Sequence, residues 1–264
     1  MTINNPFEFQ PPSAALQGKI ILITGAGDGI GKTAAITFAS HGATVILAGR
    51  TLAKLEMVYD EIEKAGYPQP AIYPINFEGA QEKDYLDMSN ALNNEFGHLD
   101  GILHNASELG QRTPIINYAP DVWLRVMQVN VNAPFMLTRA LMPLLEKAPS
   151  AAVLFTGSTV GLQGRAFWGA YAASKAAMEN LVQTLADELQ ETSRIRVNSI
   201  NPGATRTRMR ATAYPAENPG SVKSPEALMP AYLFLLSDAS DGVSGQQFSW
   251  SEPATLPEEN ISNS

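Results

Sequence analysis

The chain has 264 residues, 45% apolar and 17% charged, which excludes intrinsic disorder and leaves ample material for a core. Eighteen Lys and Arg against 26 Asp and Glu give a net charge of -8, which disfavours nucleic-acid backbones and anionic membranes as partners. There is no cysteine, hence no disulfide, thiolate metal site or cysteine nucleophile, and His41, His98 and His104 lack paired-ligand spacing, so no metal site is expected.

Residues 1–18 are rich in Asn, Gln and Pro and predict a flexible arm with no basic, apolar leader. No run approaches 18 apolar residues, so a soluble, cytoplasmic protein is expected. From Lys19 onward, short apolar runs alternate with helical patterns. Ile20–Ile23, Thr44–Leu47, Ala71–Tyr73, Gly101–Leu103, Ala152–Phe155 and Ile195–Ile200 read as strands, with a short one near Gln246–Phe248. Apolar residues at helical spacing predict helices near 30–41, 52–65, 80–96, 119–146, 168–191 and 225–237. Near-continuous apolar strands between helices predict an α/β fold: a Rossmann-type, doubly wound parallel sheet covered on both faces. The alternation runs unbroken over 19–250, so one domain with an integral substrate site is expected, followed by a Pro- and Glu-rich tail at 251–264.

The first strand leads into Thr24-Gly25-Ala26-Gly27-Asp28-Gly29-Ile30-Gly31, at the start of the first helix. Glycines there let the backbone approach a pyrophosphate, and a helix N-terminus supplies oriented N–H groups; the bland alternative is a plain glycine turn. After the second strand comes Gly49-Arg50. A carboxylate at this place takes a ribose 2′-hydroxyl, whereas an arginine accommodates a 2′-phosphate. Arg50 therefore favours NADP(H) over NAD(H), although it can equally be a solvated arginine, and the charge of Asp28 near the phosphates weighs mildly the other way. Tyr171 and Lys175 stand four apart on a predicted helix and share a face. An ammonium beside a phenol favours the phenolate, lowering a pKa that starts near ~10, yet such a pair alone is usually a solvated helix face. Ser158 follows the fifth strand, at the carboxyl end where parallel sheets place ligands, and can equally be a helix cap.

Taken together these motifs are identified as those of the short-chain dehydrogenase/reductase family, which the chain resembles from about Lys19 to Gln246. Thr24 to Gly31 matches the family's TGxxxGxG loop, and His104-Asn105-Ala106-Ser107 its NNAG strand end with His and Ser in the outer places. Asn130, Ser158, Tyr171 and Lys175 keep the family's order and spacing, and Pro202-Gly203 with Thr207 matches PGxxxT. Within the family, Val126–Ala133 and Asn201–Thr207 are most similar to the bacterial YciK-like branch.

The resemblance implies an oxidoreductase moving hydride between NADP(H) and a small carbonyl or alcohol substrate. In that scheme Tyr171 is the general acid/base, Ser158 bonds the substrate oxygen, Lys175 binds the nicotinamide ribose, and Asn130 holds a water linking Lys175 to solvent. It also implies cofactor contacts from Gly25, Gly27, Asp28, Gly29, Ile30, Gly31, Asn76 with Phe77, Asn105, Ala106, Pro202, Gly203, Thr205 and Thr207. A homodimer or homotetramer through the helices at 119–146 and 168–191 is implied as well. Two places depart from the pattern: Asn76 replaces an acidic residue, and Phe248-Ser249-Trp250-Ser251 replaces the C-terminal Asp-Gly-Gly associated with dimer contacts.

Gln163, Arg165, Phe167 and Trp168, between Ser158 and Tyr171, are expected to line the substrate pocket unless they are ordinary loop packing. Arg206, Arg208 and Arg210 follow Pro202-Gly203; helical spacing puts Arg206 and Arg210 on one face toward an anionic group and Arg208 elsewhere. The alternative function is a nicotinamide-nucleotide-binding regulator or scaffold without turnover, which would need neither Ser158 nor the Tyr171 phenol. Epimerase chemistry fits less well for want of a larger C-terminal region, and a serine hydrolase lacks a Gly-x-Ser-x-Gly elbow at Ser158.

Overall fold

The computed structural model describes residues 5–250; the expected tail at 251–264 lies outside the described residues. Seven strands form one sheet: β1 (Ile20–Thr24), β2 (Thr44–Gly49), β3 (Ala71–Pro74), β4 (Gly101–His104), β5 (Ala151–Thr156), β6 (Ile195–Asn201) and β7 (Gln247–Ser249). Their order is β3-β2-β1-β4-β5-β6-β7, and every neighbouring pair is parallel.

Side chains alternate across each strand, so one strand feeds two cores. Ile21 and Ile23 of β1 enter a core with α1 (Gly29–Ser40), α2 (Leu52–Lys64) and α9 (Met229–Leu236), whereas Leu22 joins the opposite core with α3 (Glu82–Phe96), α5 (Ala133–Leu145) and α7 (Gly169–Leu189). Burial on both faces is why these strands read as continuous apolar runs. The chain reverses direction across the sheet between β1 and β4, so a crevice opens at their carboxyl ends.

Two elements differ from the sequence expectation. Part of the expected loose arm is anchored: Leu16 is fully buried, Phe7 packs edge-on against Trp250, and Phe9 packs against Phe234 of α9. The single helix expected over 119–146 is α4 (Pro120–Met127), a π-helical turn (Gln128–Asn132) and α5. Pro134 has no N–H to offer the Asn130 carbonyl. The backbone widens there, with Ala133 N–H bonding the Gln128 carbonyl five residues back.

Candidate active site

A cleft of about 1000 Å³ runs over the carboxyl ends of the central strands, from Gly49 and Arg50 at one end to Trp168 and Tyr214 at the other. Its floor is the glycine loop between β1 and α1. Gly25 has φ +69°, and a Cβ on Gly31 would lie 2.2 Å from the Gly25 carbonyl, so neither position accepts a side chain. Gly31 is buried beneath the loop rather than lining the cleft, while Gly25, Gly27, Asp28, Gly29 and Ile30 face it. Thr24 fastens this floor to the segment after β4: its hydroxyl accepts the N–H groups of Asn105 and Ala106, both at 3.0 Å.

At the nucleotide end, Asp28 caps α1 through the Gly29 N–H (2.8 Å) and forms an ion pair with Lys54 of α2. The Lys54 hydrogen bond above all holds the Asp28 carboxyl below its ordinary pKa, with a further contribution from Arg208. Asp28 thus faces the cleft already paired with a cation, which removes the sequence argument against a phosphate here. Arg50 is exposed at the rim, and Asn76 and Phe77 close this end beyond β3. Asn76 Oδ1 accepts the Glu78 N–H at 3.3 Å and shapes the turn.

The central group comes from three segments. Ser158 occupies the N-cap position of α6 (Thr159–Leu162), but its side chain makes no capping bond. Its hydroxyl instead meets the phenol of Tyr171, as does that of Ser107. Burial raises the Tyr171 pKa to about 12 against the opposing pull of those two hydroxyls. Lys175 Nζ sits 5.6 Å from the Tyr171 ring and donates to the Thr156 carbonyl at 2.8 Å. Desolvation draws Lys175 down to about 8, and Glu179 acts in the opposite direction. Asn130 lies behind this group rather than in the cleft wall. Its Oδ1 accepts from Ser107 Oγ (3.2 Å) and Glu108 N (2.7 Å), and its Nδ2 donates to the Glu108 carbonyl (2.9 Å) and Ser174 Oγ (3.0 Å). All four hydrogen-bonding positions of the side-chain amide are taken, so it braces the site, and the water that the resemblance implies would fall to the Asn130 backbone carbonyl, to which Pro134 offers no N–H.

At the far end, Leu109, Val160, Trp168 and Tyr171 form an apolar cluster joined by Met209, Ala213 and Tyr214. Arg112 Cζ lies 4.0 Å above the Trp168 ring, and its Nη1 donates to the Ala213 carbonyl at 3.0 Å. Arg165 and Trp168 line the cleft as expected, but Gln163 and Phe167 do not; both are exposed, with Phe167 at φ +71°.

The segment after β6 folds over the glycine loop: a Cβ on Gly29 would come within 3.2 Å of Thr207 Cγ2. Pro202, Gly203, Thr205 and Thr207 all face the cleft. Thr207 caps α8 (Arg208–Ala213), which therefore starts too late to include Arg206. The arginine expectation is corrected accordingly. Arg208 faces the cleft near Asp28 and Arg206 lies outside it near Glu226, whereas Arg210 lines the cleft as expected, binding Glu217 through Nε and Nη2 and stacking on Tyr214 at 3.7 Å.

Lys54, Ser107, Leu109, Met209 and Tyr214 are among the lining residues that sequence reasoning passed over. A signal existed for Ser107 alone, as the hydroxyl standing in the outer place of the strand-end motif. The residues present fit a dinucleotide: a Cβ-free floor at a helix N-terminus, an arginine at the ribose end, and a buried lysine with two hydroxyls around a phenol at the other.

The sheet order, the glycine loop and this Ser–Tyr–Lys group define an oxidoreductase fold, and the sequence model for short chain dehydrogenase matches residues 19–218. The chain belongs to the short-chain dehydrogenase family. It is 47% identical to the oxidoreductase YciK of Escherichia coli (strain K12) over 249 residues, covering 94% of this chain and 98% of that one. Two crystal structures are similarly related. A short chain dehydrogenase of Shigella flexneri 2a str. 301 complexed with NADP has 47% identity and a TM-score of 0.88, covering 90% of this chain and 99% of that one. One from Escherichia coli CFT073 complexed with NADPH has 48% identity and a TM-score of 0.89, covering 92% and 100%. Among the described residues no helix is long and apolar enough to cross a membrane, and no cluster of His, Asp and Glu could hold a metal ion.

Proposed function

We propose that the protein uses NADP(H) to interconvert a carbonyl compound and its alcohol, with Tyr171 as general acid and base. The observation that carries this reading is the meeting of Ser158, Tyr171 and Lys175 in the same cleft as the glycine loop and Arg50. The NADP and NADPH complexes of the two related crystal structures support the same cofactor class here.

When bound, the cofactor supplies hydride to the carbonyl carbon or accepts it from the alcohol. Arg50 would hold the 2′-phosphate, and Lys175 the nicotinamide ribose. Ser158 holds the substrate oxygen against the Tyr171 phenol. With its pKa raised to about 12, that phenol is protonated at neutral pH, the form that gives its proton to the oxygen during reduction. Asn130 acts at one remove, fixing Ser107 and Ser174 around the tyrosine. A regulator without turnover would need neither the Ser158 hydroxyl nor the phenol, and nothing in the site favours that alternative.

Trp168, Leu109 and Tyr214 would pack an apolar or aromatic part of the substrate. Arg165 takes part in none of the ion pairs among the described residues, so it offers a charge-assisted donor at the rim. The test is NADPH consumption by the purified protein across aldehydes, ketones and keto acids, with turnover expected for at least one. A panel with no consumption above the substrate-free rate would refute the reading.

A further inference from the structure

Glu179 is a buried charged residue beside the site that the scheme above leaves unused. It follows Lys175 by four residues on α7, so the two side chains lie one turn apart on the same helix face. Both residues are 5% exposed. Glu179 Oε2 accepts from Ser199 Oγ of β6 at 2.6 Å. Its other oxygen, Oε1, has no hydrogen-bond partner among the described residues and points at Gly157, where a Cβ would come within 2.3 Å of it. Gly157 lies between Thr156, whose carbonyl takes the Lys175 ammonium, and Ser158. The carboxylate therefore reaches beneath the strand end that positions both the lysine and the catalytic hydroxyl.

A buried carboxylate with a single donor keeps most of its charge uncompensated by hydrogen bonds, and such a charge is tolerated beside an opposite one. We propose that Glu179 is a positioning residue whose carboxylate is the counter-charge that keeps Lys175 in its charged, cofactor-binding form. The proposal rests on the cofactor role given to Lys175 above. Among the described residues Glu179 is also the one charge whose field bears on Lys175, opposing its desolvation.

The other titratable groups around the pair are neutral near pH 7. Tyr171 on α7 is raised to about 12; Tyr232 of α9, which meets Thr156 Oγ1 at 3.3 Å, is raised further by burial. His104 of β4, stacked on Phe155 of β5, is lowered to about 3. The π-helical turn and α6 contribute no titratable side chain, and Arg196 at the far end of β6 is held by Ser150 and Ser237.

The test is NADPH affinity against pH for the full chain, by equilibrium titration without any carbonyl substrate. The unmodified protein should bind well at neutral pH and lose affinity above about pH 8, as Lys175 gives up its proton. In Glu179→Gln that loss should begin about one pH unit lower, the size expected on removing a nearby opposite charge. Affinity at the acid end should match the unmodified protein, and Glu179→Asp should fall between the two. A Glu179→Gln curve superimposed on the unmodified one, or lowered equally at every pH, would overturn the proposal. Should Glu179→Gln fail to fold, an unshifted Glu179→Asp curve has the same force. Absence of NADPH binding by the unmodified protein would instead sink the cofactor reading, so the two failures are distinguishable.

Discussion

The two ends of the cleft are built from different materials. The nucleotide end is mostly backbone: strand ends, a glycine loop in which Gly31 underlies Gly25, and a helix N-terminus capped by Asp28. The substrate end is mostly side chains from loops far apart in the chain, such as Arg112 laid over Trp168 and bonded to Ala213. Backbone geometry imposes residue types at fixed spacing, because few residues tolerate a positive φ or a 2.2 Å approach. Aromatic walls impose only bulk and polarity. One end can therefore keep a single cofactor while the other changes its substrate.

Substitutions can separate the ends, and the largest effect is expected where they join. Tyr171→Phe keeps the ring packed against Trp168, 5.6 Å away, and removes only the proton donor. Turnover of any confirmed substrate should fall by roughly a thousandfold, within the range for general acid catalysis. NADPH affinity should stay within about twofold, as read by equilibrium titration. Near-normal turnover would remove the tyrosine from the mechanism.

Arg50→Ala should act at the nucleotide end alone. A charge-assisted contact with a 2′-phosphate contributes about 1.5–3 kcal/mol, or roughly one to two decades of affinity. NADPH binding should weaken by that factor and NADH binding should not, with the difference shrinking as salt is added. Equal loss for both cofactors would place Arg50 away from the phosphate.

A smaller, graded effect is expected from pH. The Lys175 pKa is lowered to about 8, so the charged form is complete well below that value and is lost as pH rises through it. Reduction should hold through neutrality and decline above about pH 8, while the Tyr171 phenol, raised to about 12, stays protonated over the same range. Rate profiles at NADPH well below saturation check this, and a flat profile up to about pH 10 would contradict it.

The same contrast explains what the sequence made legible. The strands were readable because burial on both faces leaves unbroken apolar runs such as Ile20–Ile23. The glycine loop and the four-residue Tyr171–Lys175 spacing were readable because local geometry fixes them, whereas the separation of Ser158 from Tyr171 was readable only through the family resemblance. The break at Gln128–Asn132 was not, because apolar periodicity passes through it unaltered and Pro134, just inside the next helix, is tolerated there. The anchoring of Phe7, Phe9 and Leu16 was hidden for another reason. Their partners, Trp250, Phe234 and the main core, are remote in sequence, and the surrounding Asn, Gln and Pro residues set the local composition.

The finest distinction concerns the three arginines after β6, where the structure keeps Arg210 at the cleft as helical spacing predicts but exchanges Arg206 for Arg208. Arg208 and Arg210 both line the cleft, but Arg208 is the one beside Asp28 at the glycine loop, so Arg208→Ala should weaken NADPH binding by a few-fold in a salt-sensitive way. Arg210 acts on the other end through packing. Its two bonds to Glu217 and its stacking on Tyr214 hold that ring 6.0 Å from Trp168, so Arg210→Ala should raise the substrate KM and leave NADPH affinity unchanged. The Arg210 bond keeps the Glu217 carboxyl below its ordinary pKa, so the contact persists at neutral pH and is lost as pH falls through that lowered value. Any KM difference between Arg210→Ala and the unmodified protein should therefore narrow in acid. Arg206 precedes the helix and lies outside the cleft, so Arg206→Ala should change neither constant. Parallel titration of NADPH and substrate in the three variants reads all these outcomes, and a substrate KM raised by Arg206→Ala but not by Arg210→Ala would contradict this placement of the segment after β6.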